Sequence, residues 1–249
     1  MRFKDKVALI TGGAKGIGFA IARLFSMQGG HAISMSRQPG RNDEPAGTRP
    51  PISFTRGNVC VAEDCERVTE ETLGKYGRLD VLINNAGIIY RNRTVERTTE
   101  AEWDTTFDTN VKGAFLMSRC ALPALRESHG NIVNVASYVG LVGFHGAAAY
   151  AASKAALVNL TRTMALDHAQ DGVRVNCVCP GSVDTEMIRA AWRAHGDPAE
   201  AEHLWREKHP MGRIATPDEV AYAVLFLAAD DASFITGVAL PVDGGITAG

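Results

Sequence analysis

Short apolar runs alternate with helix-periodic segments along nearly the whole 249-residue chain, and this alternation restricts the fold more than any other feature. VALIT (7–11), HAISMS (31–36), ISFTRG (52–57), DVLINN (80–85), NIVNVAS (131–137), VRVNCVC (173–179) and ITGVALPV (235–242) read as strands. Between them, residues 17–29, Ala62 to Tyr76, Glu100 to Arg126 and Tyr150 to His168 carry apolar residues at three- and four-residue steps, as helices do. Strands that alternate with helices imply βαβ units. The expected class is therefore α/β, with a parallel sheet covered by helices on both faces. No internal repeat and no linker divides the chain, so residues 1–249 read as a single domain.

One segment breaks the rhythm. Gln38 to Pro51, QPGRNDEPAGTRPP, holds four prolines and two glycines. Proline removes donors and restricts its predecessor, so a flexible loop is expected there in place of a crossover helix.

Bulk properties exclude several function classes. The 26 basic and 28 acidic residues give a net charge of -2, and no basic run is dense enough for a nucleic-acid or anionic-membrane binder. No stretch reaches the ~18 apolar residues of a membrane helix, and the N-terminal apolar run is too short for a signal core. A soluble cytoplasmic protein is the expectation. Five cysteines and seven histidines show no metal-ligand spacing. Cys177 and Cys179 fall on one strand face and read as small buried hydrophobes, and no metal site is expected.

The first strand runs into TGGAKGIG (11–18) and then directly into a helix. Glycines let the backbone turn sharply and approach a phosphate, while a helix N-terminus offers free N–H groups and partial positive charge. Gly12, Lys15, Gly16, Ile17 and Gly18 are thus candidates to hold a dinucleotide pyrophosphate. The second strand ends at Ser36 and Arg37. An acid at that place would favour NAD, whereas an arginine suits the extra phosphate of NADP. Arg37, with Lys15 and Arg41 nearby, favours NADP(H), and NAD(H) is the alternative.

Tyr150 and Lys154, in AYAASKAAL, stand four residues apart and so share one helix face. By itself that spacing also fits an ordinary solvated face.

With the other motifs it resembles the classical short-chain dehydrogenases/reductases. TGxxxGxG is matched by Thr11, Gly12, Gly16 and Gly18, and NNAG by Asn84 to Gly87. The family's active-site Asn is matched by Asn110 in TNVKG, and its Ser by Ser137 in NVASYVG. YxxxK follows thirteen residues later as Tyr150 to Lys154. PGxxxT spans Pro180 and Gly181 to Thr185, and DGG closes the chain at Asp243 to Gly245.

The resemblance implies a doubly wound Rossmann-type domain with sheet order 3-2-1-4-5-6-7. It also implies hydride transfer between a nicotinamide cofactor and a carbonyl or secondary-alcohol substrate. Tyr150 would be the general acid/base. A free phenol ionises near ~10, and Lys154 beside it would favour the phenolate. Ser137 would donate to the substrate oxygen, and Asn110 would position a water joining Lys154 to solvent. Asn85, Ala86, Gly87, Tyr150 and Lys154 would line the nicotinamide ribose, and Pro180, Gly181, Val183 and Thr185 the carboxamide side. Asn58 and Val59 would meet adenine, with Asn58 in place of the family's usual Asp. Residues 184–210 would form a substrate lid of two short helices broken near Gly196 to Pro198. Arg91 and Arg93, after NNAG, lie near the expected pocket mouth and suit a polar or anionic substrate. Partners implied are a small-molecule substrate and other copies of the chain, a homotetramer or a dimer. The competing functions are an NAD-dependent dehydrogenase of a sugar or cyclic alcohol, and a non-catalytic nucleotide sensor. An extended-fold epimerase or dehydratase would need a longer chain and a different glycine spacing.

Overall fold

A computed structural model describes residues 1–39 and 52–249. The expected flexible loop at 38–51 falls largely on residues 40–51, and Arg41 wholly so; these lie outside the described residues.

Seven strands form one parallel sheet: β1 (Val7–Thr11), β2 (His31–Ser36), β3 (Ser53–Arg56), β4 (Val81–Asn84), β5 (Asn131–Val135), β6 (Arg174–Pro180) and β7 (Ala239–Val242). Their spatial order is β3-β2-β1-β4-β5-β6-β7, as expected. The central strands β1, β4 and β5 are buried at every position, because helices cover both faces. Successive side chains still divide between the two layers. Ala8 and Ile10 join one core with α1 (Gly16–Met27) and α8 (Pro217–Ala228). Val7 and Leu9 join the other with α2 (Ala62–Tyr76), α4 (Gly113–Ser128) and part of α5 (Ala148–His168).

Two helical readings need correction. The single helix expected from Glu100 to Arg126 is α3 (Glu100–Phe107), a π-helical turn at Asp108–Lys112, and then α4. The apolar periodicity continues across the junction, so the sequence carries no break there. The second is α8, which the sequence reading did not identify. Its signals were present: Pro217 follows Thr216, whose hydroxyl accepts from Glu219 N, and the Glu219 carboxylate accepts from Thr216 N at 2.8 Å. The remaining helices, α6 (Glu186–Arg193) and α7 (Pro198–Glu207), are the two short helices expected after Thr185.

Polar clamps fix the strands at both ends. At the lower end the Asp80 carboxylate is buried. It accepts from Val7 N (2.9 Å) and from Arg78 in bidentate fashion (2.9 and 2.6 Å), with Lys6 at 3.5 Å. Within the sheet, Asn84 Nδ2 donates to Asn134 Oδ1 (2.9 Å), whose Nδ2 donates to Thr161 Oγ1 on α5 (2.8 Å). Asp80→Ala leaves the buried Val7 N–H without its acceptor and should cost about 2–3 kcal/mol in denaturant unfolding. Arg67→Ala, which removes an exposed pairing with Asp64 and Glu71, should cost under about 1 kcal/mol.

Candidate active site

Every motif residue sits at the carboxyl ends of the parallel strands. There β1 and β4 lie side by side while the chain runs outward from them in opposite directions. Such a switch point leaves a crevice. Its floor is the glycine loop. Gly16 has φ of +57°, and a Cβ there would meet the Thr185 side chain at 3.3 Å. A Cβ on Gly18 would stand 2.4 Å from Gly12 O and 2.5 Å from Asn85 Nδ2, so no larger residue fits. Lys15 occupies the N-cap of α1 without a side-chain cap, and the first turn holds no acid. Its leading N–H groups are left for an anion. These features fit a dinucleotide pyrophosphate.

The loop is held from two sides. The Thr11 hydroxyl accepts from Asn85 N (3.0 Å) and Ala86 N (3.1 Å), and Asn85 Nδ2 donates back to Thr11 O at 2.9 Å. The Asn85 side-chain nitrogen is thus spent on bracing the loop. Ala14 N donates to the Ser36 hydroxyl at 3.3 Å, which ties the loop to the end of β2. Arg37 and Lys15 are exposed beside it. Asn58 Oδ1 accepts from Cys60 N at 3.2 Å, a local turn in which its Nδ2 has no partner among the described residues; Val59 is buried.

Four predicted residues converge across the crevice. The π turn carries Asn110 inward, 1% exposed. Its Oδ1 accepts from Ile88 N (2.9 Å), while its Nδ2 donates to Ile88 O and Ser153 Oγ (both 3.0 Å). Its side chain therefore sews α5 to the connection after β4. Ser153, which the sequence reading passed over, hands the contact on to Tyr150 O at 2.7 Å. Gly87 is the close-approach point: a Cβ there would lie 3.3 Å from Asn110 Oδ1 and 3.4 Å from Lys154 Nζ.

Lys154 is 4% exposed. Its ammonium donates to Val135 O at 2.8 Å and lies 5.7 Å from the Tyr150 ring centroid. Burial lowers it to about 8. Burial also pushes the Tyr150 phenol above its ordinary value; a hydrogen bond with Ser137 and the charge of Arg91 act against that rise. Lys154, expected from the sequence to favour the phenolate, lies over the ring face, and the groups that hold the phenol down are Ser137 and Arg91. A half-buried phenol, a buried amine and a hydroxyl within reach of the phenol are groups that can pass a proton between them.

Beyond β6, Val183 is buried, and Asp184 N donates to Ala215 O (2.8 Å) while Ala215 N donates to Ser182 O (2.9 Å), which holds this strip against Ala215. Gly181 N donates to Val242 O at 3.0 Å, closing Pro180–Gly181 onto β7. His209 is 2% exposed. Its Nε2 accepts from Ser182 N (3.0 Å) and its Nδ1 lies 2.9 Å from Trp205 O, an arrangement that requires the neutral ring. It joins α7 to the Pro180–Thr185 strip, a role invisible in the sequence, where it was one of seven histidines without metal-ligand spacing. Among the described residues no three His, Cys, Asp or Glu side chains gather as metal ligands, and no helix is long and apolar enough to cross a membrane.

Comparison with known proteins agrees with this geometry. The sequence model of the enoyl-(acyl carrier protein) reductase family matches residues 12–247. The meso-2,3-butanediol dehydrogenase of Serratia marcescens is 42% identical over 250 residues, covering 100% of this chain and 97% of that protein. A 3-oxoacyl-(acyl-carrier-protein) reductase of Thermotoga maritima is 38% identical, with 99% of each chain covered. The solved aldohexose dehydrogenase of Thermoplasma acidophilum is 35% identical with a TM-score of 0.91, covering 99% of this chain and 95% of that one.

The buried amine has a thermodynamic signature. Between about pH 8 and 10.5 the unfolded chain keeps the Lys154 proton that the folded chain has released, so stability rises with pH across that window. At pH 7 burial of the charge costs on the order of 3 kcal/mol. Lys154→Met should therefore raise the unfolding midpoint of the unliganded protein at pH 7. It should also remove the rise seen in wild type from pH 8 to 10, as paired denaturant titrations would register.

Proposed function

The chain belongs to the classical short-chain dehydrogenases/reductases, oxidoreductases acting on CH–OH and C=O groups, and on that premise we propose that it is an NADP(H)-dependent carbonyl reductase or alcohol dehydrogenase. The observation that carries the reading is the convergence of Tyr150, Ser137, Lys154 and Asn110 on one side of a crevice whose other side is an uncapped, side-chain-free glycine cradle. The bound cofactor supplies or accepts the hydride. Gly12, Gly16, Ile17 and Gly18 bind its pyrophosphate; Asn58 and Val59 bound the adenine; Ala86, Gly87, Tyr150 and Lys154 face its nicotinamide ribose, with Asn85 bracing the cradle from behind. Pro180, Gly181, Val183 and Thr185 edge its carboxamide.

Tyr150 gives its phenolic proton to the substrate oxygen in reduction and removes it in oxidation. Ser137 donates to the same oxygen and stabilises its developing charge. Lys154 favours the phenolate and passes protons onward. Asn110 connects it to solvent through the backbone freed at the π turn, since its amide is already engaged. Residues 184–210 act as the lid, with Trp205 over the pocket. Phe115 on α4 and Leu166 on α5 are exposed, 47% and 81%, on the helices that would join copies into a homotetramer. A size measurement by light scattering tests that assembly.

Arg37 and Lys15 support NADP(H). An NAD-dependent dehydrogenase of a sugar or diol competes, because relatives are named for aldohexose and butanediol. Parallel assays with NADPH and NADH over ketones, aldehydes, sugars and ketoacyl thioesters separate these. NADPH turnover should exceed NADH turnover, and Arg37→Asp should invert the preference; an unchanged ratio would remove Arg37 from cofactor selection.

Tyr150→Phe should lower kcat by at least about 10³-fold while cofactor affinity stays within a few fold. Retained turnover would end the acid/base assignment, whereas silence of wild type with both cofactors bound would favour a nucleotide sensor. The oxidation rate should rise with pH as the Tyr150 phenol ionises, and a flat profile under rate-limiting chemistry would exclude phenolate as the base.

A further inference from the structure

Two arginines follow NNAG, and the structure gives them opposite surroundings. Asn92 between them takes φ of +56°. Arg93 N donates to Gly146 O (2.9 Å) and Ala148 N donates to Arg93 O (3.1 Å), so this connection is stitched to the entrance of α5, one turn before Tyr150. The Arg93 guanidinium then pairs with Glu102 at 2.8 Å. Arg91 has no such partner among the described residues. Its guanidinium carbon lies 4.9 Å from the Trp205 ring centroid, and the ionisable groups that sense its charge are the phenols of Tyr138 and Tyr150.

This is an unusual place for a cation. It is half-buried, and that burial lowers its affinity for the proton, although a guanidinium remains charged at any working pH. A desolvated charge without a counterion is unfavourable and is normally matched by an acid. Here the surroundings are aromatic: Trp205, Tyr138 and, edge-on to Tyr138 at 5.9 Å, Phe144. Lys208 reaches the same rings, 4.9 Å from Trp205 and 5.9 Å from Phe144. Cation–π contact orients a guanidinium while leaving its in-plane N–H donors free. A planar fork held over a ring beside the catalytic phenol is prepared for an oxyanion.

We propose that Arg91 is the anion-binding specificity residue of the substrate pocket, so that the physiological substrate is a carbonyl or secondary-alcohol compound bearing a carboxylate, sulfonate or phosphate. The oxyanion takes the Arg91 fork, Trp205 covers it from the lid, and the reacting oxygen rests at Tyr150 and Ser137. The assignment rests on the oxidoreductase reading for the second half of that pose, but the anion site itself does not require turnover.

Calorimetric titration of the full-length protein, with NADP⁺ or NAD⁺ present and absent, tests it with benzoate, benzenesulfonate and phenyl phosphate against neutral benzamide. At least one anion should bind ten- to a hundredfold tighter than benzamide, the range a charge-assisted hydrogen bond supplies. The strongest of the three identifies the oxyanion. Arg91→Met should bring the two affinities within about threefold. Arg91→Lys, which keeps the charge and the fold but loses the fork, should fall between. Arg93→Met, removing the arginine paired to Glu102, should leave the preference in place. Anions that bind no tighter than benzamide in wild type, or a preference that survives Arg91→Met, would overturn the proposal. If the preference holds and is lost in Arg91→Met, yet no carbonyl is reduced with either cofactor, the anion site stands and the catalytic reading falls.

Discussion

The hydrogen bonds between Thr11 and the Asn85–Ala86 backbone, returned by the Asn85 amide, fix the gap between the two strands from which the chain departs in opposite directions. Everything at the mouth of the sheet is referred to that brace. It sets how closely Gly18 lies against Gly12, and it places Gly87 where Asn110 and Lys154 can approach it. The cradle and the cluster of Asn110, Tyr150 and Lys154 are thus two sides of one rigid frame. A frame of this kind preserves geometry to a fraction of an ångström without help from the ligand.

Two cations stand inside that frame, and among the described residues neither sits beside a carboxylate. Lys154 is satisfied by the carbonyl of Val135, and Arg91 by the face of Trp205. Both positions lower stability relative to an apolar interior. Asp80, at the opposite end of the same sheet, shows the contrasting arrangement, an acid saturated with donors. Lys154 and Arg91 thus stand without an acid among the described residues at the carboxyl ends of the strands, and Asp80 stands fully matched at the other end.

Much of this was legible in the sequence, and the parts that were not share a cause. The strand and helix sequence and the place of the glycine loop follow from periodicity and from motifs whose spacing survives in one dimension, and the sheet order from the family resemblance that those motifs carry. The bounds of α2 and the break between α6 and α7 were read as they stand. The capping box that opens α8 was readable and was passed over. Other features exist only in three dimensions. The inward turn of Arg91 and the outward turn of Arg93 depend on the backbone of Asn92 and on Glu102 nine residues away. The role of His209 depends on Ser182, which the sequence places far from it. The resemblance names Asn110 without saying which of its atoms acts; that its amide is engaged by Ile88 and Ser153, on a turn of changed backbone hydrogen bonding, is visible only in the folded chain.

That turn also divides labour along the helix. A π turn adds one residue to a helix, and one residue is about 100° of rotation. The side chains of α3 are therefore out of phase with those of α4, although the two run on as one rod. The phase slip lets α3 lean on α5, beside the site, while α4 faces α2 and the core of the sheet. A single inserted residue thus does the work of a hinge without any flexibility, and the residue at the slip, Asn110, belongs to both faces at once.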